Sequence, residues 1–192
     1  MELLAPAGSR QALTAAVQSG ADAVYLGGPQ FGARYSAENF TIEEMKTWVD
    51  YCHLYGVDVH VTVNTLVKEK EIESLKEYLK QLNEIGVDAL IVQDMGAVEI
   101  IKKTVPDMTL HASTQMTVTS LEGVKYLEDM GFSRVVLARE LSEKEIEHIC
   151  KNAKAEIEVF VHGAICMCYS GQCLMSSILG GRSGNRGRCA QP

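Results

Sequence analysis

The sequence predicts an α/β fold, a TIM-type (β/α)8 barrel that is truncated after its seventh strand. Short β-branched or apolar runs alternate with longer segments of helical periodicity, and this alternation produces seven βα units in 192 residues. No predicted strand is followed by a Gly-x-Gly-x-x-Gly loop, which argues against a doubly wound dinucleotide-binding sheet. The chain stops without a closing eighth strand, so we expect an incomplete barrel.

Seven segments are predicted as strands because they are short, rich in Val, Ile, Leu and Ala, and bounded by Gly, Asp or Asn. Several are apolar on both faces, as a parallel sheet covered by helices requires. In order, the predicted strands are Glu2–Pro6, Ala23–Gly28, Val57–Asn64, Ala89–Asp94, Thr109–Thr114, Arg134–Glu140 and Glu156–His162.

Six segments between these strands are predicted as helices because they have helical periodicity and recognisable ends. Ser9 can cap the first helix, and capping boxes pair Thr41 with Glu44 and Ser142 with Glu145. Glycines follow several of the helices, where a left-handed residue ends the last turn. In order, the predicted helices are Arg10–Ser19, Thr41–Tyr55, Lys68–Ile85, Gly96–Thr104, Ser120–Met130 and Ser142–Ala153.

Composition predicts a globular protein, with 46% hydrophobic and 22% charged residues. The net charge of −7 argues against a broad nucleic-acid-binding surface but allows a local one. No apolar run reaches the roughly 20 residues of a membrane span, and the N-terminus does not resemble a signal peptide. We therefore expect a cytoplasmic protein without a membrane partner. Residues 1–163 should form the barrel units, and residues 164–192 a segment rich in Cys, Gly and Arg.

Polar residues end several predicted strands, at the edge where barrels of this type place reactive groups. Asn64, Asp94, Glu140 and His162 each end an otherwise apolar segment. Because such groups must pair or meet a ligand, they are candidate catalytic residues that orient substrate or shuttle protons. Ordinary loop polarity is the alternative.

Loops and strand ends also supply candidate substrate-binding residues. The Arg34 guanidinium could hold a carboxylate or phosphate, or form a loop salt bridge. Glycines would let the backbone approach a ligand, or would simply make turns. The candidates in this part of the chain are Gly27, Gly28, Arg34, His111 and Gln115.

Cys166, Cys168, Cys173 and Cys189 fall within 24 residues, which favours a soft-metal site. The spacing leaves two kinds of site open. A zinc site with four cysteine ligands is one, although the usual Cys-x-x-Cys pairs are absent, and an iron–sulfur cluster, which tolerates wider spacing, is the other.

The same segment contains three arginines close together in the sequence, with no acidic residue between them: Arg182, Arg186 and Arg188. They belong either to a solvated loop or to a contact with RNA phosphate.

The region from Glu158 to Ser176 resembles the signature of the collagenase-like peptidase family, peptidase family U32. That signature is Glu, Phe, a Gly-Ala-aliphatic-Cys step, then Gly-x-Cys and an aliphatic-Ser ending. The matching positions are Glu158, Phe160, Gly163, Ala164, Ile165, Cys166, Gly171, Cys173, Met175 and Ser176. The runs LLAPAGS, AVYLGG with a following FGAR, and HASTQM are similar to the same family, so the resemblance covers the whole chain.

The resemblance implies more than one activity. Some members of this family are known as collagenase-type peptidases, whereas others hydroxylate a tRNA wobble uridine, an rRNA cytidine or ubiquinone precursors. In the hydroxylating members four cysteines hold a [4Fe-4S] cluster, and Cys166, Cys173 and Cys189 match three of them. The fourth ligand lies beyond Pro192 or is replaced by Cys168. The tRNA-modifying members also imply a small carboxylate substrate such as prephenate.

These observations lead us to expect an iron–sulfur-dependent enzyme that hydroxylates tRNA or rRNA. A collagenase-like peptidase is the alternative, ranked lower because no nucleophile with a base and an oxyanion hole stands out. A non-catalytic scaffold that binds an iron–sulfur cluster or zinc is the third possibility. A homo-oligomer could cover the open edge of the truncated sheet.

Overall fold

The computed structural model describes residues 1–33, 38–163 and 166–189. Seven parallel strands pair in chain order, each with the next, to form a curled half-barrel. The strands are β1 Leu4–Pro6, β2 Ala23–Gly27, β3 Asp58–Val63, β4 Ala89–Val92, β5 Thr109–Ala112, β6 Arg134–Val136 and β7 Glu156–Glu158. The predicted fold class is therefore confirmed.

Helices connect the strands and cover the convex face of the sheet. They are α1 Arg10–Gln18, α2 Ile42–Leu54, α3 Ile72–Glu84, α4 Met95–Thr104, α5 Leu121–Asp129, α6 Glu143–Asn152 and, after the last strand, α7 Met175–Gly180. The predicted caps are confirmed, since Ser9 accepts a hydrogen bond from the Ala12 amide at 3.2 Å and both capping boxes form. In the part of the chain described, no helix is long and apolar enough to cross a membrane.

Alternation along the strands separates an apolar face from a polar one. Val59, Val61 and Val63 of β3 are fully buried in one hydrophobic cluster with Leu75 and Leu79 of α3. Burying each such side chain contributes roughly 1.5–3 kcal/mol, so this layer is a large stabilising contribution to the fold. The intervening residues of the strands face the concave side, where the polar groups gather.

Arg134 ties the two ends of the curled sheet together on the concave side. Its guanidinium donates two hydrogen bonds of 2.6 Å to Glu2, which precedes β1, and bonds of 2.8 and 2.6 Å to Glu156 of β7. The Arg134 side chain is only 9% exposed, so these carboxylates supply most of its solvation. The network fixes the curvature that brings the strand ends around a common cavity.

The last two strands are shorter than predicted. β6 ends at Val136 and β7 at Glu158, whereas the sequence pattern extended them to Glu140 and His162. The Leu137 amide still donates to the Glu158 carbonyl at 3.0 Å, but beyond Leu137 and beyond Glu158 the chain leaves the sheet and forms loops. Glu140 and His162 therefore lie in loops beyond the strands rather than at their ends.

Candidate active site

A cavity of about 250 Å³ opens at the carboxyl ends of the strands. We call it the mouth cavity. Its apolar lining includes Ile91 and Phe160. Its polar lining includes Asn39, Thr62, Asn64, Ser113, Gln115 and Glu158. Enzymes built on this type of barrel place their active sites at this end of the strands.

Asn64 joins two walls of the mouth cavity. Its side-chain oxygen accepts a hydrogen bond from the Ala33 amide at 2.9 Å, and its nitrogen donates to the Ser113 hydroxyl at 3.3 Å. The same hydroxyl accepts from the Gln115 amide at 3.3 Å. Asn64 thus lies at the predicted site and fixes the loop after β2 against the turn after β5.

Glu158, the last residue of β7, contributes a buried carboxyl group to the mouth cavity. Its Oε2 lies 3.7 Å from Nη1 of Arg134 and has no hydrogen-bond partner among the described residues. Burial raises the pKa of Glu158 to about 7, and the nearby Arg134 only partly offsets this effect. A carboxyl group with this pKa can hold or release a proton near neutral pH, which suits general acid–base chemistry.

The sequence interpretation did not select Glu158 as a site residue, although it is the first position of the family signature. The signal was present in the alternation of the EIEVF run. Glu156 and Glu158 fall on one face of the strand, and that face points into a barrel rather than towards its helices.

His111 is buried in the concave face and lines neither of the two cavities described. Its ring meets the His60 ring edge to face, with 4.7 Å between the ring centres. Burial, together with the neighbouring His60 and Arg134, lowers the pKa of His111 to about 3. His111 is therefore buried and uncharged near neutral pH, and its predicted contact with substrate stays a prediction.

Two of the predicted catalytic carboxylates hold backbone amides. Asp94 caps α4 by accepting from the Ala97 amide at 3.0 Å, and its other oxygen accepts from the Val67 amide at 3.0 Å. Glu140 accepts from the Ser170 amide at 3.0 Å. Both carboxylates position loops at the mouth of the barrel.

The remaining candidates divide by location. His162 is exposed in the loop after β7 and lines neither cavity. Gly27 lines the mouth cavity, and a Cβ at this residue would come 2.6 Å from the Asn39 side-chain oxygen. Gly28 is packed against the Tyr78 hydroxyl, which would be 1.8 Å from such a Cβ. Arg34 lies outside the described residues.

Residues 166–189 form a cysteine segment that packs on the loops at the mouth of the barrel. The Thr117 hydroxyl donates to the Ser170 carbonyl at 2.6 Å. Gly171 lies so close to strand β5 and its turn that a Cβ would come 2.1 Å from the Gln115 carbonyl oxygen. Arg186 anchors the far end of the segment through bonds of 2.6 and 3.1 Å to Glu71 and 2.7 Å to the Leu66 carbonyl.

Three thiols of the cysteine segment are neighbours. The Cys168 thiol hydrogen-bonds with Cys166 and Cys173, and these contacts raise its pKa. The pKa of Cys166 is lowered, chiefly by the Cys168 amide and also by Arg139. The fourth thiol of the segment, Cys189, has its sulfur 4.0 Å from the Ser176 hydroxyl.

The donor chemistry of these thiols suits a soft metal, because zinc and iron–sulfur clusters both bind thiolates. Across residues 1–33, 38–163 and 166–189, no group of three or more His, Cys, Asp or Glu side chains is arranged to hold a metal ion. The segment thus gathers suitable ligands without a closed ligand set.

A second cavity, of about 550 Å³, lies beside the mouth cavity and shares Gln115 with it. We call it the lateral cavity. It is bounded by the turn after β4, the turn after β5 and helix α5, and Asp94 lies in its lining.

Comparison with protein families places the chain clearly in one of them. The sequence profile described as Peptidase family U32 matches residues 8–192. A 23S rRNA 5-hydroxycytidine synthase of Escherichia coli is 46% identical over 191 residues, which are 100% of this chain and 29% of that protein. A tRNA hydroxylation protein of Bacillus subtilis is 41% identical over 190 residues, 99% of this chain and 45% of that protein.

A collagenase of Porphyromonas gingivalis is 34% identical over 203 residues, 99% of this chain and 48% of that protein. The chain thus spans less than half the length of these three relatives. Among solved structures, a U32 peptidase superposes with a TM-score of 0.71 at 22% identity, covering 87% of this chain and 71% of the other. At that identity the likeness supports the fold alone.

Proposed function

Because the chain belongs to peptidase family U32, and its most similar curated relatives include RNA hydroxylation proteins, we propose that it forms part of an RNA-hydroxylating enzyme. The observation that carries this proposal is the composition of the barrel mouth. A cavity that contains a buried carboxyl group and several other polar side chains lies beside a thiol-rich segment. The substrate is tRNA or rRNA, and the protein acts in the cytoplasm, where both RNAs occur.

A peptidase needs a nucleophile that is activated by a base. The pKa of Cys166 is lowered by the Cys168 amide and by Arg139, rather than by a histidine. His162, the histidine closest to Cys166 in the sequence, is exposed in its loop. The described geometry therefore favours hydroxylation over proteolysis.

A [4Fe-4S] cluster would be held by Cys166, Cys173 and Cys189, with Cys168 or a residue outside this chain as the fourth ligand. When bound, such a cluster supplies one-electron transfer beside the mouth cavity. The contacts among Cys166, Cys168 and Cys173 support this assignment, and zinc is the alternative occupant.

The mouth cavity suits a small carboxylate such as prephenate. Its volume of about 250 Å³ is below the roughly 300–1,000 Å³ common for larger ligands. Glu158 can donate a hydrogen bond to a carboxylate in its protonated form, and Asn39 and Ser113 add polar groups. Asn64 orients two of the walls, so it acts as a positioning residue. A homo-oligomer stays a prediction, which size-exclusion chromatography with light scattering would test.

Nucleoside mass spectrometry tests the proposed function directly. Cells that lack this protein should lose a hydroxylated pyrimidine nucleoside from tRNA or rRNA, and the wild-type gene should restore it. A Cys166→Ser, Cys173→Ser variant should fail to restore it, because both thiols belong to the proposed ligand set. Cys150→Ser is the matched control, since Cys150 is an exposed cysteine on α6, outside the cysteine segment.

Unchanged RNA in the deletion strain would contradict the proposal. Gelatin cleavage by the purified protein that is lost in Cys166→Ser would favour the peptidase alternative instead. Iron and sulfide analysis of protein purified without oxygen tests the cluster separately. Zinc without iron or sulfide would exclude the cluster.

A further inference from the structure

The lateral cavity is large enough for a nucleoside. Its volume of about 550 Å³ falls within the roughly 300–1,000 Å³ of typical small-ligand sites, whereas the mouth cavity is smaller. The cavity has three walls. The end of β4 contributes Gln93, the turn after β5 contributes Thr117, and α5 contributes Tyr126. The two cavities meet at Gln115, so ligands bound in both would be neighbours.

Two amide side chains of the lateral cavity have unused hydrogen-bonding capacity. The Oε1 atoms of Gln93 and Gln115 are buried and lack a hydrogen-bond partner among the described residues. Leaving such an atom unpaired is unfavourable, and a hydrogen bond from a bound ligand would remove that cost. The terminal torsion of glutamine is soft, so each amide can turn towards a bound ligand. Together they offer the donors and acceptors that match the Watson–Crick edge of an unpaired base.

An aromatic ring is available at the same cavity. Tyr126 lies on α5, lines the lateral cavity and is 62% exposed. Exposed aromatic rings beside a groove can stack on the faces of unpaired bases. Met95 lines the same cavity, is also exposed and adds apolar surface to it.

The backbone at Thr117 links this cavity to the thiols. Thr117 has φ of 58°, in the left-handed region that a β-branched residue rarely adopts. The cysteine segment holds Thr117 in this conformation. The Thr117 hydroxyl donates to the Ser170 carbonyl at 2.6 Å and accepts from the Gln172 side chain at 3.2 Å. Strained backbone of this kind concentrates at functional sites. A ligand in the lateral cavity would therefore lie next to the cysteine segment.

We propose that the lateral cavity binds an unstacked pyrimidine base of RNA, with Tyr126 stacking on its face and Gln93 and Gln115 hydrogen-bonding to its edge. This inference rests on the proposed function and adds the place where the target base is held. A base inside a helix is inaccessible to such a site, so the substrate is a single-stranded or flipped-out nucleotide. Gln115 then separates the base from the small ligand of the mouth cavity.

Binding of a fluorescent single-stranded oligocytidine to the purified protein tests the assignment. Tyr126→Ala should weaken binding about ten-fold, because one base–aromatic stack is lost. Tyr126→Phe keeps the ring and should bind within about two-fold of wild type. Tyr55→Ala is the matched control, since Tyr55 is another exposed tyrosine, at the C-terminal end of α2, and it lines neither cavity. Alanine favours helix at position 126, so Tyr126→Ala should fold normally.

The same variants are compared by nucleoside mass spectrometry in complemented cells. If the wild type hydroxylates RNA but Tyr126→Ala matches it in binding and in modification, the lateral cavity is not the base site and the proposed function stands. If RNA is unmodified in every strain while Tyr126→Ala alone weakens oligocytidine binding, the cavity assignment stands and the proposed function fails. Equal losses in Tyr126→Ala and Tyr55→Ala, or no binding by the wild type, would overturn the assignment.

Discussion

Burial holds the pKa of Glu158 at about 7, above the ordinary 4.5, so this carboxyl group titrates near neutral pH. The folded protein keeps a proton that the unfolded chain releases between those values. Glu158 therefore lowers stability as pH rises from about 4.5 to about 7. His60 and His111 act in the opposite sense, because burial lowers their pKa values below 6.5 and stability falls as pH drops through that value. The contribution of Glu158 must be isolated by a variant.

Glu158→Gln should remove the loss of stability associated with ionisation of this carboxyl group. The free energy of unfolding of the variant, relative to wild type, should rise by on the order of 2 kcal/mol as pH increases from about 5 to about 8, because glutamine stays neutral. The contributions of the histidines are the same in both proteins and cancel in this difference. Urea unfolding of both proteins at the two pH values measures the difference. Glu156→Gln removes a mostly exposed carboxylate from the same arginine and is the matched control. A constant difference for Glu158→Gln across this range would refute the raised pKa.

Arg134→Met should destabilise the fold by on the order of 3 kcal/mol, because it leaves the Glu2 and Glu158 carboxylates without their shared cation. Arg10→Met removes an exposed ion pair with Glu44 and should cost less than about 1 kcal/mol. Thermal or urea unfolding at about pH 7 compares the two variants. Similar losses in both would mean that the Arg134 network does not hold the sheet ends together.

At the residue scale, sequence reasoning located part of the site. Asn64 and Gln115 line the mouth cavity because they closely follow β3 and β5, where the alternation is regular. Glu140 and His162 lie outside the mouth cavity because β6 and β7 end before them. An apolar run in the sequence does not show at which residue a strand stops pairing with its neighbour. Glu158 was missed because its raised pKa comes from burial in the folded sheet, which the sequence alone does not show.

At the element scale, the helices and strands follow from local rules. Caps and glycines marked the helix ends to within a few residues, since these signals act between neighbours in the sequence. Helix α7 was not predicted, because its six residues carry no N-terminal cap hydrogen bond and too little periodicity. The docking of the cysteine segment could not be predicted either, because it depends on contacts with loops that are distant in the sequence, such as Thr117 with Ser170 and Leu66 with Arg186.

Gly171→Ala should release the cysteine segment from the barrel. Gly171 has φ of 71°, and its Cβ would come 2.1 Å from the Gln115 carbonyl oxygen. Gly181→Ala is the matched control, because Gly181 also has positive φ, 62°, but its Cβ would meet nothing within 4 Å. Hydrogen exchange of residues 166–189 should accelerate in Gly171→Ala far more than in Gly181→Ala, while the exchange of β3 and β4 stays unchanged. Equal protection in both variants would show that the segment does not depend on this contact.

The whole molecule combines a negative net charge with a proposed RNA substrate. The net charge of −7 predicts that RNA contacts are few and confined to one region. Arg186, one of the three arginines predicted to meet phosphate, is bonded to Glu71 and the Leu66 carbonyl and so anchors the cysteine segment. Arg182 and Arg188 are exposed on the same segment, at the end of the barrel that carries both cavities.

The salt dependence of RNA binding should reveal this confinement. Each phosphate contact on a single strand contributes a slope of about 0.7 to the fall of log K with log salt concentration. Arg182→Gln and Arg188→Gln should each lower the slope by about that amount and weaken binding at low salt. Lys151→Gln makes the same change in net charge in the last turn of α6, at the opposite end of the barrel, and should leave the slope unchanged. If all three variants lowered the slope equally, overall charge rather than a local RNA contact would govern binding.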